Sequence, residues 1–329
     1  MRRFFLAGFT FLIFTIIVLP ALIVRGLNLG VPAPIPPEEE AMGLVLKVFR
    51  VETGELVEMA LKDYLVGVVA AEMPAEFAEE ALKAQAVAAR TFVLRRLKVY
   101  GGQGCDEHPG ADICTDPSHC QGWLSVEEQQ EKWGLVNYPR LRDKIAGAVD
   151  FTAGLVITHG GELIDAPYHS TCGGHTEDAA KVWGQEIPYL QGVACPYDFA
   201  SPRFEEEISY PLPEVASRLD TEVALAAAGG LGGGVDMAVV AKSGSGRILT
   251  LRAGGKEFTG VEVRERLGLK STNFQWRLEG ENLIFKTIGY GHGVGLCQYG
   301  TNGMAQEGHT FREILQYYYT GVDIENFTD

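Results

Sequence analysis

One carboxylate stands where a helix is forced to stop. The run from Asp63 to Glu72 predicts a short helix with Asp63 as its N-cap. Pro74 keeps Met73 out of the helical region, so that helix must end there. Glu72 then lies at the negative end of the helix dipole, where an ionised carboxylate is disfavoured. We therefore expect a raised pKa, which suits a general acid near neutral pH, although most glutamates are ordinary surface acids.

A second group of side chains could hold a metal ion. Two thiols and two imidazoles fall within thirteen residues: His108, Cys114, His119 and Cys120. Zinc binds such a set tetrahedrally, and because four protein ligands leave no open position, this zinc would be structural. The alternative is disulfide bonding, with Cys105 or Cys172 as partners, since exported proteins usually oxidise their cysteines. The spacing alone leaves both alternatives open.

Two polar loops are further candidates. The glycine-rich loop Gly289–Gly295 matches neither phosphate-binding pattern, so it indicates close backbone approach to a ligand or to another segment. His292 is the polar side chain within it. The sequence Tyr168-His169-Ser170 pairs a histidine with a serine, but neighbouring residues of a strand point to opposite faces. No nucleophile elbow surrounds Ser170, so a serine hydrolase is not supported.

The N-terminal region predicts a membrane anchor. Residues 4–24 are almost wholly apolar and follow Arg2 and Arg3. That length spans a bilayer, and the positive-inside rule leaves the N-terminus in the cytoplasm. A cleaved signal peptide is the alternative. The sequence therefore divides into an anchor with its cytoplasmic tip (1–27), a Pro/Glu-rich linker (28–42) and an extracytoplasmic module (43–329).

Periodicity within the module predicts an α+β fold in which hairpins alternate with helices. The expected helices are 63–72, 79–98, 125–148 with a break at Pro139, 214–230, 261–267 with Thr259 near its cap, and 311–319 opened by a Thr310–Glu313 capping box. The expected hairpins pair 44–51 with 56–61, 155–158 with 162–168, 237–242 with 247–252, and 274–279 with 282–288.

Charge narrows the choice of partner. The formal net charge of the chain is −15 at neutral pH. A strongly acidic protein is repelled by phosphate backbones and by anionic lipid headgroups. The charge therefore argues against nucleic acid and against an anionic membrane surface as the main partner.

Several motifs together resemble one family. They are Glu72-Met-Pro74, the run Glu80–Phe92, the run Tyr168–Asp178 followed by Trp183 and Pro188-Tyr-Leu190, and the run Gly289–Ala305. In order and spacing these stretches resemble the stage II sporulation protein D family. The resemblance runs from about Gly43 to Asp329, and the N-terminal anchor is typical of the family as well.

This resemblance implies a peptidoglycan lytic transglycosylase with two lobes around a glycan-binding cleft. Such enzymes cut between N-acetylmuramic acid and N-acetylglucosamine without water and leave a 1,6-anhydro end. The catalytic glutamate of the family corresponds to Glu72. It would act first as acid and then as base, and the substrate's own C6 hydroxyl would be the nucleophile, so the second carboxylate of a glycosidase is not required.

The resemblance also implies partners and a setting. The substrate would be glycan strands stripped of stem peptides, and the role would be septal wall remodelling and engulfment in sporulation. A cell-wall amidase and the membrane scaffold of the engulfment machinery would be partners. The catalytic module would lie between mother cell and forespore.

Further site residues follow from the same resemblance. The expected substrate-binding residues are Gln85, Arg90, Tyr168, His169, Ser170, His292, Gly293, Gln298 and Tyr299. Arg90 matches an arginine important in the family, which would contact the glycan or orient Glu72. A salt bridge on the helix surface is its structural alternative.

The cysteines are interpreted through the family too. The spacing of His108, Cys114, His119 and Cys120 is similar to a zinc site in clostridial members, which favours a structural Zn²⁺. Cys172 and Cys195 replace small polar residues of relatives, which suggests a disulfide between them. Cys297 replaces a serine, and we interpret it as a structural exchange because nothing nearby would activate a thiolate.

Two other classes of function compete with the transglycosylase. A non-enzymatic cell-wall binding or amidase-enhancing protein exists in the wider family, and it would not need Glu72. A zinc hydrolase acting on stem peptides would need an open coordination position and a nearby base, which the Cys/His cluster lacks.

Overall fold

The computed structural model describes residues 43–223 and 235–327. The predicted membrane segment (4–24) and the linker (28–42) lie outside these residues. Among the described helices, none combines the length and the apolar character needed to cross a bilayer.

The module begins with the predicted hairpin and the helix that carries Glu72. Its elements are β1 (Val45–Arg50), β2 (Glu55–Ala60) and α1 (Leu61–Glu72). β1 and β2 are antiparallel, and β2 continues directly into α1. The N-cap prediction is wrong: Ala60 is the N-cap, and Asp63 lies in the first turn. The predicted end is confirmed, since Met73 is extended (φ −121°, ψ 146°) before Pro74.

Two further helices pack around α1: α2 (Glu79–Arg96) and α3 (Val126–Phe151). Small side chains along α2 are buried, which allows close approach of its neighbours. The break in α3 falls at Gly134 (φ 72°, ψ 150°), because only glycine adopts this conformation at no cost. The helix continues through Pro139, where the sequence predicted the break.

Short strands connect distant parts of the chain. They are β3 (Ile113–Cys114), β4 (Leu155–His159), β5 (Glu162–Leu163), β6 (Tyr168–His169), β13 (Leu296–Cys297) and β14 (Asp323–Asn326). β3 runs parallel to β1, and β4 pairs with β5 and β14. The predicted hairpin 155–168 is too long, because β6 leaves it and pairs in parallel with β13. This pairing brings the Tyr168-His169-Ser170 segment beside the glycine-rich loop.

The central part of the module forms a smaller unit of strands and short helices. Its elements are β7 (Glu205–Pro211), α5 (Leu212–Leu219), β8 (Met237–Lys242), β9 (Ile248–Ala253), β10 (Lys256–Thr259), α6 (Gly260–Leu267), β11 (Phe274–Glu279) and β12 (Asn282–Ile288). Two three-stranded sheets result, in the orders β10-β9-β8 and β11-β12-β7. The hairpins predicted here and the Thr259 cap are confirmed. The predicted helix 214–230 ends at Leu219, where Asp220 is left-handed; residues 224–230 lie outside the described residues.

The remaining helices are α4 (Ala179–Trp183), α7 (Gln298–Gln306) and α8 (Phe311–Tyr318). The capping box of α8, from Thr310 to Glu313, is confirmed. Two main groups of buried apolar side chains hold the described residues together: a large core around α1, α2, α7 and α8, and a small core within the central unit. The predicted α+β class is confirmed.

Candidate active site

A cleft of about 670 Å³ contains Glu72. The end of α1, α3, β6 and the glycine-rich loop line it, and α6 contributes a residue from the small-core unit. The lining side chains most relevant to binding are Glu72, Glu76, Lys132, Trp133, Tyr168, Ser170, Arg203, Arg264, Tyr290, His292, Gln298 and Tyr299. This volume is in the range of sites for small ligands, which is enough for a few sugar rings.

Two neutral donors hold the Glu72 carboxylate. The backbone N–H of Gly122 donates to Oε1 at 2.9 Å, and Nε2 of Gln298 donates to Oε2 at 3.2 Å. Neither donor carries a charge, so neither fixes the carboxylate as strongly as an arginine would. Glu72 is therefore oriented without being forced to stay ionised.

The pKa of Glu72 is raised, as the sequence predicted. Burial is the main cause, because a desolvated carboxylate is disfavoured in its charged form. The hydrogen bonds from Gln298 and Gly122 and the charge of Lys132 act in the opposite direction, and burial outweighs them. Burial is thus the main cause of the raised pKa.

Close packing of the following residues against α1 places the N–H of Gly122 beside the Glu72 carboxylate. The indole of Trp123 lies against Gly67, where an added Cβ would be 2.1 Å from Nε1 of the indole. The N–H of Leu124 also donates to the carbonyl of Gly67 at 3.2 Å. A Cβ at Gly122 would lie 3.1 Å from Oε1 of Glu72, so only glycine places its N–H there without pressure on the carboxylate.

A hydrogen-bond chain links this segment to β6. Nε2 of Gln121 donates to the hydroxyl of Tyr168 at 2.9 Å, and the hydroxyl of Tyr64 donates to Oε1 of Gln121 at 3.3 Å. Burial raises the pKa of Tyr168 well above its ordinary value, and the Glu72 charge raises it further. Tyr168 therefore stays neutral and acts in the cleft as a hydrogen-bonding group.

Gln85 lies behind Gln298. Its side chain is fully buried on α2, and its Oε1 lies 3.5 Å from Nε2 of Gln298. Gln85 thus orients the amide that holds Glu72, while Gln298 reaches the cleft itself. The two glutamines form a short relay from the core to the carboxylate.

Both ring nitrogens of His292 are used by the backbone. Nε2 lies 2.9 Å from the carbonyl of Tyr168, and the N–H of Val294 donates to Nδ1 at 3.1 Å. A carbonyl only accepts and an N–H only donates, so the neutral tautomer with the proton on Nε2 is fixed. Burial lowers the pKa of His292 to about 4, which agrees with a neutral ring. His292 therefore contributes the surface of its ring to the cleft and does not act as a proton donor.

Three further predicted residues also line the cleft: His169, Ser170 and Tyr299. The ring of His169 is buried, and its Nδ1 lies 3.2 Å from the carbonyl of Val294. The N–H of Tyr299 donates to the carbonyl of Ser170 at 3.1 Å, which joins the two segments.

Comparison with known proteins now identifies the family. A sequence model described as "Stage II sporulation protein" matches residues 50–159. Stage II sporulation protein D of Bacillus subtilis is 35% identical over 285 residues, which cover 87% of this chain and 80% of that protein. The chain belongs to the stage II sporulation protein D family. The Bacillus amyloliquefaciens member is 35% identical over 279 residues (84% of this chain, 77% of that protein). An amidase enhancer of Bacillus subtilis is 25% identical over 320 residues, covering 80% of this chain and 40% of that protein.

Three residues expected in the cleft of this stage II sporulation protein D family member lie elsewhere: Gln85, which lies behind Gln298, Arg90 and Gly293. Arg90 is buried, and its guanidinium donates to the carbonyls of Thr152 (2.7 Å), Leu155 (3.1 Å) and Val149 (3.2 Å). It thereby binds the chain at the end of α3, where free carbonyls need donors. Neither the glycan contact nor the surface salt bridge describes it.

Gly293 is the third such residue. An added Cβ there would lie 2.4 Å from Nη2 of Arg247, so this glycine makes room for a buried guanidinium. It is not among the residues that line the cleft. Its positive φ of 84° adds a second reason for glycine.

The structure also adds cleft residues that the sequence did not single out: Lys132, Trp133, Arg203, Arg264 and Tyr290. Tyr290 belongs to the glycine-rich loop Gly289–Gly295, and this position in the sequence could have identified it as a candidate cleft residue. Arg203 lies over the Tyr290 ring at 4.6 Å. Lys132 and Trp133 gave no signal, because a lysine and a tryptophan on a helix are usually structural.

The predicted clustering of Cys and His side chains is present, with one member of the predicted set exchanged. Donor atoms of Cys105, Cys114, His119 and Cys120 all lie within 4.8 Å of one another; we call these four residues the loop cluster. Nδ1 of His119 is 3.3 Å from the sulfurs of Cys114 and Cys120. Three thiols and an imidazole are a set that zinc binds well, so the residues fit the ion. Nε2 of His119 lies 2.7 Å from Oδ1 of Asp106, the usual partner for a ligating histidine.

His108 is not part of the loop cluster. Its ring stacks on Phe49 at 3.9 Å, and its Nδ1 lies 3.4 Å from the sulfur of Cys105. Stacking thus holds the imidazole to one side, and Cys105 takes the predicted place of His108. Spacing could not decide this, since both residues precede Cys114 in the same loop.

The six cysteines, all within the described residues, are free thiols. The predicted disulfide between Cys172 and Cys195 is therefore corrected. Both residues lie with Cys297 and Asp198 in a second group whose donor atoms are also within 4.8 Å of one another; we call these four residues the core cluster.

A larger pocket, of about 930 Å³, lies beside the loop that carries the loop cluster. Arg95, Arg96, Glu162 and Asp165 are among the residues that line it. Arg96 and Asp165 form an ion pair there at 3.7 Å. The cleft around Glu72 holds a carboxyl group with a raised pKa, so it is the stronger candidate for catalysis.

Proposed function

We propose that this chain is a peptidoglycan lytic transglycosylase with Glu72 as its single acid and base. One observation carries the proposal: Glu72 has a raised pKa and is oriented by two neutral donors in an open cleft. A carboxyl that holds its proton near neutral pH can give that proton to a glycosidic oxygen. Family membership supports a substrate in the cell wall.

In the first step Glu72 acts as the acid. Its proton passes to the oxygen of the bond between N-acetylmuramic acid and N-acetylglucosamine while the C1–O bond breaks and C1 gains oxocarbenium character. Burial raises the pKa of Glu72 and so favours the protonated form that this step needs. Gly122 and Gln298 then stabilise the carboxylate that remains, since their hydrogen bonds strengthen when charge develops on the acceptor.

In the second step the same carboxylate acts as the base. It takes the proton of the muramyl C6 hydroxyl, whose oxygen bonds to C1 and closes the 1,6-anhydro ring. Glu72 is then protonated again, so the cycle is balanced without water. Glu76 is the other carboxylate of the cleft lining and it is exposed. His292 is neutral with both nitrogens engaged, so it cannot replace Glu72.

The charges of the cleft favour glycan that has lost its stem peptides. Lys132, Arg203 and Arg264 line the cleft of a chain whose net charge is −15. Removing the peptide leaves a free lactyl carboxylate on each muramyl residue, and guanidinium groups bind carboxylates well. Trp133, Tyr290 and Tyr299 offer aromatic faces for sugar rings. The substrate-binding set therefore includes these residues with Tyr168, Ser170 and His292.

The loop cluster would hold a structural Zn²⁺. Its four ligands fill a tetrahedral site, so the ion would supply order and no chemistry. Cys120 precedes Gly122 by two residues, so order in the loop supports the N–H that binds Glu72. A zinc hydrolase is disfavoured for the same reason, since the site has no open position.

The proposed setting follows from the sequence and the family. Residues 4–24 would anchor the chain in the membrane with the module outside the cytoplasm, between mother cell and forespore. There it would remodel septal wall for engulfment, with an amidase that removes stem peptides and a membrane scaffold as partners.

A non-enzymatic amidase-enhancing role is the second candidate. The similarity to an amidase enhancer supports it. A protein that only binds the wall would keep the cationic and aromatic cleft but would have no use for the carboxylate of Glu72.

Digestion of peptide-free glycan strands, with products read by mass, tests the proposal. The wild type should produce 1,6-anhydro ends, and Glu72→Gln should abolish them. Glu76→Gln, which changes an exposed carboxylate of the same cleft, is the matched control and should retain activity. Wild-type binding without cleavage would favour the amidase-enhancing role.

A further inference from the structure

Three thiols and a carboxylate meet in the core behind the cleft wall. Cys172, Cys195, Cys297 and Asp198 are each fully buried, and their donor atoms lie within 4.8 Å of one another. Zinc–sulfur bonds of about 2.3 Å place tetrahedral sulfurs roughly 3.8 Å apart. The core cluster is therefore compact enough to enclose one ion.

The groups around the core cluster are those that support metal-bound thiolates. Backbone N–H groups of Cys172 and Gly300 point at the sulfur of Cys297, at 3.3 and 3.4 Å. The hydroxyl of Tyr318 lies 3.0 Å from the sulfur of Cys195. Donors of this kind orient ligands and stabilise their negative charge.

The carboxylate gives an independent indication of a cation. Oδ2 of Asp198 accepts from the N–H of Gly173 at 2.8 Å and from the thiol of Cys172 at 3.1 Å. Oδ1 is buried and has no hydrogen-bond partner among the described residues. Oδ2 also lies 3.7 Å from the sulfur of Cys297, so this oxygen faces the thiols. A buried carboxylate with one unpartnered oxygen costs free energy, and a cation bound by this carboxylate would offset that cost.

Charge balance is also consistent with a cation. Arg247 is almost fully buried, and its guanidinium donates to the carbonyl of Cys172 at 2.8 Å. With a metal bound, three thiolates and a carboxylate would carry four negative charges, more than one arginine offsets in the core. A divalent ion together with Arg247 would neutralise most of this charge.

We propose that Cys172, Cys195, Cys297 and Asp198 form a second metal site for a thiophilic divalent cation such as Zn²⁺. Four protein ligands close the coordination shell, so the ion is structural. Cys297 directly precedes Gln298, whose amide binds Glu72. The ion therefore fixes the wall of the cleft that carries this positioning group.

Metal analysis of the full-length chain, purified in detergent with Zn²⁺ present, tests the site. Cys297→Ser and Cys195→Ser should each contain one equivalent of zinc less than the wild type, whatever the loop cluster holds. Thr301→Ser is the control: it makes a small change at a buried side chain of α7, the helix that follows Cys297, and should keep the wild-type zinc content. Two variants are used so that misfolding of one leaves the other as a test.

Cobalt substitution adds a spectroscopic readout. The thiolate-to-cobalt charge-transfer band should weaken in both cysteine variants and remain in Thr301→Ser. Wild-type zinc content in the cysteine variants would overturn the proposal. So would a Cys172–Cys195 disulfide in the native protein, detected as two thiols that resist alkylation in denaturant until they are reduced.

Discussion

The loop cluster and the core cluster have the same number of ligands and opposite surroundings. The loop cluster lies between residues 104 and 121, where β3 is a strand of only two residues. The core cluster is flanked by β6, β13 and α7 inside the large core. Each precedes one donor to Glu72: Gly122 follows the loop cluster, and Gln298 follows the core cluster.

This difference indicates where an ion matters for folding. A loop with few buried apolar groups cannot offset its own conformational entropy by packing. A segment inside a packed core is held by its neighbours with or without an ion. We therefore expect the loop cluster to depend on metal for its order and the core cluster to use metal for precise placement.

The largest expected effect is on the loop. Cys114→Ser should release the loop between residues 101 and 121, because the binding free energy of a structural metal is folding free energy. Limited proteolysis with mass mapping should show at least about tenfold faster cleavage within the loop. Cys297→Ser is the comparison variant and should leave the cleavage pattern unchanged. Equal protection of the loop in both variants would remove the distinction between the clusters.

The second-largest effect is expected from a substitution at Gly122, the donor that follows the loop cluster. Gly122→Ala puts a Cβ 3.1 Å from Oε1 of Glu72, which displaces the carboxylate or the N–H that binds it. Loss of one charge-stabilising donor typically costs about 100-fold in rate, so we expect a reduction in kcat of that order. Gly147→Ala on α3, where an added Cβ meets nothing within 4 Å, is the control. Steady-state kinetics on peptide-free strands measure both, and equal rates would separate Gly122 from catalysis.

Replacing Gln298, the donor that follows the core cluster, should change the pH dependence of kcat/KM. The protonated form of Glu72 is the acid, so kcat/KM should fall as pH rises through its pKa in the free protein. The hydrogen bond from Gln298 lowers that pKa, so Gln298→Met should raise it further. A hydrogen bond to a charged group corresponds to about one pH unit. The alkaline limb should move to higher pH by about that amount, and movement to lower pH would reverse the assigned role.

The smallest effect is expected at a cleft residue that belongs to neither cluster. Arg264→Gln should raise KM for peptide-free strands about threefold to tenfold, as expected for one partly exposed charge. Strands that keep their peptides lack the free lactyl carboxylate and should respond less. Arg252→Gln, an exposed arginine outside the cleft, serves as control. The same change in KM for both kinds of strand would argue against recognition of a carboxylate.

Local signals predicted much of the fold. Pro74 after Glu72, the Thr259 and Thr310 caps, and the strand pair 274–279 with 282–288 are decided by nearby residues, and the structure has them where the sequence indicates. Predictions that depend on distant contacts did less well. β6 pairs with β13, more than a hundred residues away, and no local pattern shows this.

The candidate site also combines features that nearby residues decide with features that distant contacts decide. The helix end at Glu72 was predictable, because Pro74 determines it. The direction of the pKa shift was also predicted, but its main cause is burial, which the sequence does not show. Arg90 could not be placed, since its carbonyl partners on α3 and β4 come together only in the fold. The presence of Cys105 instead of His108 in the loop cluster could not be predicted either, because it depends on the stacking of His108 against Phe49.

The central claim is that Glu72 catalyses cleavage without water, and cleavage in heavy-oxygen water tests it most directly. The purified protein would digest peptide-free glycan strands in this solvent, and the new ends would be weighed by mass spectrometry. We predict 1,6-anhydro ends that contain no heavy oxygen and that are absent with Glu72→Gln. Reducing ends that carry heavy oxygen would show hydrolysis and contradict the account.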